Sequence, residues 1–144
     1  LVTDAGTPLV SDPGYRLVSA ARAAGVMVVP IPGPCAAIAA LSASGLPSDR
    51  FTFLGFLPVK SGRRDRVIEG LSAEQGTVIF YVPARSLKRT LQEIGAKHPG
   101  ARIVIAREIT KIYEEFVTGT PAECLTAIGE REPKGEVTLL VNVA

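Results

Sequence analysis

The sequence predicts an α/β fold arranged as two lobes. One observation behind this prediction is that short apolar runs of strand length alternate with amphipathic helical segments along the chain. Another is a turn-rich string at residues 46–50 (Leu-Pro-Ser-Asp-Arg), after which alanine-rich helices give way to an aromatic strand. We therefore predict one domain over residues 1–48 and a second over residues 49–144.

The first lobe reads as strand, helix, strand, helix. Strands are predicted over residues 1–3 and 26–31, and helices over residues 15–24 and 35–43, with Gly25 as the stop of the first helix. The run at 26–31 is almost continuously apolar, as is typical of strands that are buried on both faces. The first lobe is therefore expected to contain a parallel sheet.

The second lobe begins with an alternating aromatic strand and continues with a basic loop over residues 58–66. The loop leads into a helix that is predicted to end near Gly70. The remaining predicted elements are strands over 77–82, 102–106, 113–118 and 137–143, and helices over 83–94 and 121–128.

Composition limits the classes of function. With 47% hydrophobic and 21% charged residues, the chain can bury a core, and a net charge of +2 gives no overall nucleic-acid signature. Two distant cysteines and one histidine do not make the usual zinc site or a Cys–His nucleophile pair, so no metal is expected. The isolated cysteines fit a reducing compartment, and no apolar run reaches the length of a membrane span.

Three turn-rich strings lie in the first lobe, two after its first predicted strand and one after its second. Residues 4–8 (Asp-Ala-Gly-Thr-Pro) and 11–15 (Ser-Asp-Pro-Gly-Tyr) let a ligand approach the backbone, or are simply tight turns in which Asp12 caps a helix. Residues 32–36 (Pro-Gly-Pro-Cys-Ala) join a strand end to a helix start, where α/β proteins bind ligands, or form a rigid turn. The glycine patterns of pyrophosphate-binding loops are absent from the sequence.

Two charged strings lie in the second lobe. Residues 60–66 (Lys-Ser-Gly-Arg-Arg-Asp-Arg) suit contacts to phosphates, or form a solvated helix face. Residues 106–111 (Ala-Arg-Glu-Ile-Thr-Lys) follow a strand and combine groups that can hold a phosphate, orient a ribose and accept a proton. The alternative for this second string is a surface ion-pair network.

Taken in order, these strings resemble the tetrapyrrole methylase superfamily. Within it they are most similar to the branch that methylates the 2′-oxygen of a cytidine ribose in small-subunit (16S) ribosomal RNA. The resemblance also rests on residues 55–58 (Gly-Phe-Leu-Pro) and 134–136 (Lys-Gly-Glu), and it spans the whole chain. It implies two α/β domains, S-adenosylmethionine in the cleft between them, a homodimer, and a location in the cytoplasm, or in an organelle if the source is eukaryotic.

The resemblance also implies the roles of individual residues. Glu108 and Lys111 are the candidates for the base that takes the ribose proton, or for orienting that base. Lys60, Arg63, Arg64 and Arg66 would contact RNA phosphates. The implied donor-binding residues are Asp4, Gly6, Thr7, Pro8, Asp12, Gly33, Pro34, Cys35, Ala36, Tyr81, Ala106 and Arg107.

The chain departs from the family pattern in two places. Residues 82–86 (Val-Pro-Ala-Arg-Ser) stand where the family commonly has Glu, then Ser or Ala, then Pro-His-Arg. The strand and glycine-containing loop with which the family begins are missing, so the first domain is expected to be incomplete. Two alternatives stay open: a methylase of a corrin or porphyrin precursor, and an RNA-binding fragment without catalysis.

Overall fold

The computed structural model describes residues 1–143, and its contacts divide the chain into two compact units. The first unit is Leu1–Ala36 and the second begins at Ala37. Helix α2 (Ala36–Ser44) thus lies almost wholly in the second unit, where Ala37, Ala40 and Leu41 are buried. The functional boundary between residues 48 and 49 stays a prediction.

The first unit contains one helix, α1 (Tyr15–Ala23), among turns. Gly14 precedes the helix, and a Cβ there would contact the side chains of Leu1 and Leu9 at 2.8 and 2.9 Å. The helix ends as predicted, because Gly25 adopts a φ of +72° that an L side chain disfavours.

The predicted strands at residues 1–3 and 26–31 are wrong, and so is the parallel sheet predicted for this unit. Neither segment forms a sheet ladder within the described chain, and apolar side chains in both are exposed, Val2 at 91% and Ile31 at 80%. A strand is defined by hydrogen bonds to a partner, and no hydrophobic pattern supplies that partner.

The second unit is built on a five-stranded mixed sheet. Its strand order is β1-β2-β5-β3-β4, with only β1 and β2 parallel among the pairs that the structure describes. The strands are β1 (Phe51–Phe56), β2 (Thr77–Pro83), β3 (Arg102–Arg107), β4 (Glu115–Gly119) and β5 (Glu136–Asn142). The central strand β5 is buried on both faces although it is antiparallel to its neighbours. A continuous apolar run therefore indicates that a strand is buried, and it does not indicate whether the strand is parallel.

Three helices accompany the sheet: α3 (Ser61–Glu69), α4 (Leu87–Lys97) and α5 (Pro121–Ile128). Leu87, Leu91 and Ile94 recur at helical spacing on α4 and are at most 1% exposed. They pack in one core with sheet residues such as Phe80 and Leu139, which are neighbours in the β2–β5 register. Short 3₁₀ turns at Ala73–Gln75 and Ala84–Ser86 flank β2. The α/β class predicted from the sequence is confirmed.

Within residues 1–143 no helix has both the length and the apolar character needed to cross a bilayer.

Candidate functional site at the carboxyl edge of the sheet

The sheet topology gathers three loops at one edge. Strands β1 and β2 are parallel, while β2 and β3 both run antiparallel to β5, so β1, β2 and β3 share a direction. The segments after them, at residues 57–60, 84–86 and 108–114, therefore leave the same edge, and residues 134–135 enter β5 there. Carboxyl ends of co-directional strands are where α/β proteins bind ligands.

The strand register aligns two predicted donor-binding residues across this edge. Tyr81 and Ala106 both pair with Thr138 of β5, from opposite sides, and Phe56 pairs with Tyr81. At a spacing of about 4.8 Å between strands, Tyr81 and Ala106 lie roughly 10 Å apart on one face of the sheet. Ala106 is fully buried, whereas Tyr81 is half-buried.

The candidate catalytic pair forms an ion cluster with a third residue. The Nζ atom of Lys111 lies 3.0 Å from Oε1 of Glu108 and 2.9 Å from Oε2 of Glu136. The same Glu108 oxygen accepts the backbone N–H of Glu136 at 2.8 Å. Gly135 makes this approach possible, because it adopts a φ of +88° and a Cβ there would collide with the Glu108 carboxylate.

This cluster sets the charge of both candidates. Donation from the Glu136 backbone, followed by that from Lys111, lowers the pKa of Glu108. Hydrogen bonds to Glu136 and then Glu108 raise the pKa of Lys111. Lys111 is therefore a cation at neutral pH and does not accept a proton, while Glu108 is an ionised carboxylate held by two donors.

Arg107 belongs to a second network, which borders a cleft. Its Nε donates to Glu115 at 2.9 Å and its Nη1 to the carbonyl of Lys134 at 3.2 Å, and Arg131 donates to the same Glu115 carboxylate at 3.2 Å. The pKa of Glu115 is lowered mainly by Arg107. The cleft has a volume of about 220 Å³, and its apolar lining includes Leu87, Ile105, Val117 and Ile128.

The basic stretch is largely helical, which corrects the prediction of a loop over residues 58–66. Lys60 is the residue before the first turn of α3, and Arg63 and Arg66 are exposed on that helix. Arg64 is only 7% exposed and donates to the carbonyls of Pro58 and Val59 at 3.4 and 2.7 Å. Its guanidinium also pairs with Glu93, so the assignment of Arg64 to RNA phosphates is withdrawn because its charge is already buried and paired.

The two predicted donor loops contact each other within the first unit. The hydroxyl of Thr7 donates to the carbonyl of Pro34 at 3.0 Å. A Cβ on Gly6 would lie 3.7 Å from that carbonyl oxygen, and one on Gly33 would lie 3.6 Å from the Thr7 hydroxyl. Pro8, Asp12 and Cys35 are half-buried on these loops, whereas Asp4, Gly33, Pro34 and Ala36 are exposed. At both glycines the nearest atom to an added Cβ would be at ordinary van der Waals distance.

Sequence reasoning missed two contributors to these sites. Glu136 lies 25 positions from Lys111, and Glu93 lies 29 positions from Arg64, so neither partner follows from local spacing. Residues 134–136 are part of the family resemblance, and this is the one sequence feature from which a role of Glu136 could have been predicted. Across residues 1–143 no three His, Cys, Asp or Glu side chains cluster as a metal would require.

A family model described as Tetrapyrrole (Corrin/Porphyrin) Methylases matches residues 1–124. The chain belongs to this family. It is 52% identical over 146 residues to ribosomal RNA small subunit methyltransferase I of Escherichia coli O157:H7, covering 99% of this chain and 51% of that protein. With the protein of the same name from Xylella fastidiosa the identity is 51% over 148 residues, covering 100% of this chain and 54% of that protein. The chain thus spans about half the length of these relatives.

Solved structures share the fold at low identity. The methyltransferase CobJ matches with a TM-score of 0.63 and 22% identity, over 96% of this chain and 62% of that one. Uroporphyrin-III-C-methyltransferase from Thermus thermophilus matches with a TM-score of 0.62 and 22% identity, over 95% and 60%. A Thermus thermophilus uroporphyrin-III C-methyl transferase complexed with S-adenyl homocysteine matches with a TM-score of 0.55 and 19% identity, over 95% and 62%.

Proposed function

We propose that this chain takes part in the S-adenosylmethionine-dependent methylation of the 2′-hydroxyl of a cytidine ribose in small-subunit ribosomal RNA. The observation that carries the proposal is an identity near 50% over essentially the whole chain to relatives named for that RNA. Identity to the solved corrin and porphyrin methylases is only 16–22%. This contrast supports RNA over a tetrapyrrole as the methyl acceptor.

The donor is proposed to use the junction of residues 4–8 and 32–36. Thr7 and Pro34 are joined there by a hydrogen bond, and Gly6 and Gly33 present backbone instead of side chains. A nucleoside that approaches such a junction meets peptide groups as hydrogen-bonding partners. The assignment of Tyr81, Ala106 and Arg107 to the donor stays a prediction from the family resemblance.

The chemistry asks little of the protein beyond alignment and one proton acceptor. S-adenosylmethionine supplies a sulfonium methyl group; the ribose 2′-oxygen takes the methyl, the sulfur leaves as a neutral thioether, and the hydroxyl proton passes to a base. Glu108 is our candidate for that base because it is a carboxylate that directly follows β3 at the carboxyl edge of the sheet, although its lowered pKa makes it a weaker base. Lys111, already protonated, is assigned to holding that carboxylate in place.

RNA affinity is assigned to the exposed cations Lys60, Arg63 and Arg66. Lys60 and Arg63 lie at and near the start of α3, next to the loop that leaves β1 at the carboxyl edge, and Arg66 lies in the last turn of the same helix. Flexible cations of this kind contact phosphates, which provide affinity and register. We also propose a cytoplasmic homodimer, since the family resemblance implies both the dimer and the location; sedimentation equilibrium of the protein tests the dimer.

The proposed function is tested by label transfer from methyl-tritiated S-adenosylmethionine to two acceptors, small-subunit ribosomal RNA and uroporphyrinogen III. We expect label in the RNA alone. Label in the tetrapyrrole would favour a precursor methylase, and RNA binding without donor binding would favour a non-catalytic fragment. Glu108→Gln should reduce transfer while donor affinity is kept, whereas Glu132→Gln, whose side chain is 80% exposed, should change neither.

A further inference from the structure

Three aromatic side chains form a cluster at the end of β1. The rings of Phe53 and Phe56 pack edge-on against Tyr81, with centroids 5.0 and 5.5 Å away and interplanar angles of 65° and 66°. Phe56 is nevertheless 63% exposed. Its ring is therefore held by the protein in one orientation while much of its surface faces solvent.

A β-bulge creates this arrangement. Phe53 and Phe56 are three positions apart, so in a regular strand they would point to opposite faces of the sheet. The β1–β2 register slips between Phe53 and Gly55, and Gly55 adopts a φ of +69°. The extra residue returns Phe56 to the face of Phe53 and Tyr81. Bulges often re-aim a side chain beside a functional site.

The loop after Phe56 is fastened at two places. The N–H of Leu57 donates to the carbonyl of Tyr81 at 3.2 Å, and the buried Arg64 donates to the carbonyls of Pro58 and Val59. Lys60 follows directly at the start of α3. An exposed aromatic ring is thus joined, through three residues of anchored loop, to the first of the cations assigned to RNA phosphates.

We propose that Phe56 is a stacking platform for an unpaired base of the RNA substrate, which rests on the proposed function. Single-stranded RNA is recognised by aromatic faces that stack bases beside cations that track the backbone. Residues 60–66 carry three exposed cations and one exposed acid, Asp65, so the start of the stretch that follows Phe56 in the chain has a net positive charge that complements RNA. The basic stretch that is predicted to contact phosphates therefore follows an exposed aromatic residue in the chain.

The absence of tryptophan from the sequence gives a direct test. Phe56→Trp introduces a unique fluorophore at the platform, and Phe51→Trp, at the amino end of the same strand and 41% exposed in the parent, is its matched control. Each variant is titrated with a twelve-nucleotide single-stranded RNA and with an abasic strand of equal length. We expect the RNA to quench F56W, the abasic strand to leave it bright, and F51W to be insensitive to both.

The RNA affinities of further Phe56 variants distinguish base stacking from simple apolar contact. F56L keeps an apolar side chain without a π face, so it should lose roughly 5- to 100-fold in RNA affinity, as F56A does, while F56W binds like the parent. Circular dichroism checks that each variant is folded. Binding of RNA by F56L as tight as by the parent would overturn the platform, and so would equal quenching of F56W by the abasic strand. Quenching that depends on protein concentration would also overturn it, because it would show that a second copy of the chain contacts this residue.

Failure of the platform is distinguishable from failure of the proposed function. RNA that binds the parent and F56L equally and still accepts a methyl group overturns only the platform. RNA that neither binds the parent chain nor accepts a methyl group overturns the proposed function, and the platform with it.

Discussion

The guanidinium of Arg64 is paired with the carboxylate of Glu93 through two hydrogen bonds, Nε to Oε2 at 2.6 Å and Nη2 to Oε1 at 2.9 Å. This bidentate pair joins α3 to α4, and its side chains are only 8% and 21% exposed. The adjacent Arg63 is exposed instead. Two neighbouring arginines on one helix therefore have different roles, one in the fold and one available to a partner.

Stability should separate these two arginines. Arg64→Met removes one of the two arginine partners of Glu93 and the side-chain donor to two carbonyls, and we expect it to lower the free energy of unfolding by about 2–3 kcal/mol. That is below the ~3–5 kcal/mol for a fully buried pair, because Glu93 keeps Arg89 as a partner. Arg63→Met should stay within about 0.5 kcal/mol of the parent. Urea denaturation of both variants measures the difference; equal stabilities would show that the Arg64 pair contributes nothing.

The same pair predicts a dependence of stability on pH. In the folded protein the pKa of Glu93 lies below its ordinary value of 4.5, mainly because Arg64 donates a hydrogen bond to its carboxylate. The stabilisation is therefore complete above pH 4.5 and is lost as the pH falls through the folded-state pKa. Glu93→Gln should be less stable than the parent at pH 7 and approach it in acid. Glu69→Gln, in an exposed pair with Lys97, is the control and should show no such convergence.

Donor binding should be sensitive to the size of residue 33. Gly33 lacks a positive φ, and a Cβ there has room beside Thr7, so the backbone tolerates a side chain. Gly33→Phe should fold normally, yet it should abolish binding of S-adenosylmethionine because the ring fills the junction with residues 4–8. Calorimetric titration of this variant and of Gly100→Phe, which has open space around it, provides the comparison. If a folded Gly33→Phe chain binds S-adenosylmethionine as tightly as the parent, the donor does not bind at this junction.

The exposed cations of the basic stretch should act through phosphates. A triple variant with alanine at Lys60, Arg63 and Arg66 should lose affinity equally for cognate and scrambled RNA, and its affinity should depend less steeply on salt. Donor affinity should not change. Arg102→Ala, at the amino end of β3, removes an exposed cation from the opposite edge and should leave the salt dependence unaltered. If the triple variant matches the parent in affinity and salt slope, the stretch is only a solvated helix face.

The sequence predicted elements best where local signals agreed. Helix α5 has the bounds predicted for it, because Thr120 and Glu123 form a capping box and Gly129 ends the helix. The burial of Arg64 also fits a local pattern, since it stands four residues before the buried Ile68 on helix α3, whereas a loop is predicted there from the sequence. Whether residues 1–3 and 26–31 form strands, and in which direction β5 runs, depends on pairing with distant segments, which spacing does not encode.

The candidate site divides in the same way. The string at 106–111 located Glu108 and Lys111, because ionisable residues directly after a buried strand are a local pattern. Their state depends on Glu136 and Gly135, which another strand brings to the same edge. The exposure of Phe56 follows from a single-residue bulge, which the alternating aromatic pattern of β1 conceals.

The most direct test of the account is the position of the transferred methyl group in the RNA. Small-subunit ribosomal RNA labelled from S-adenosylmethionine is hydrolysed in alkali, which cleaves each linkage through a free 2′-hydroxyl. Methylation of a cytidine 2′-oxygen removes that nucleophile, so we predict that the label is recovered in an alkali-resistant dinucleotide with cytidine at its 5′ side. Label recovered in mononucleotides, or no transfer by a chain that binds the donor, would contradict ribose methylation.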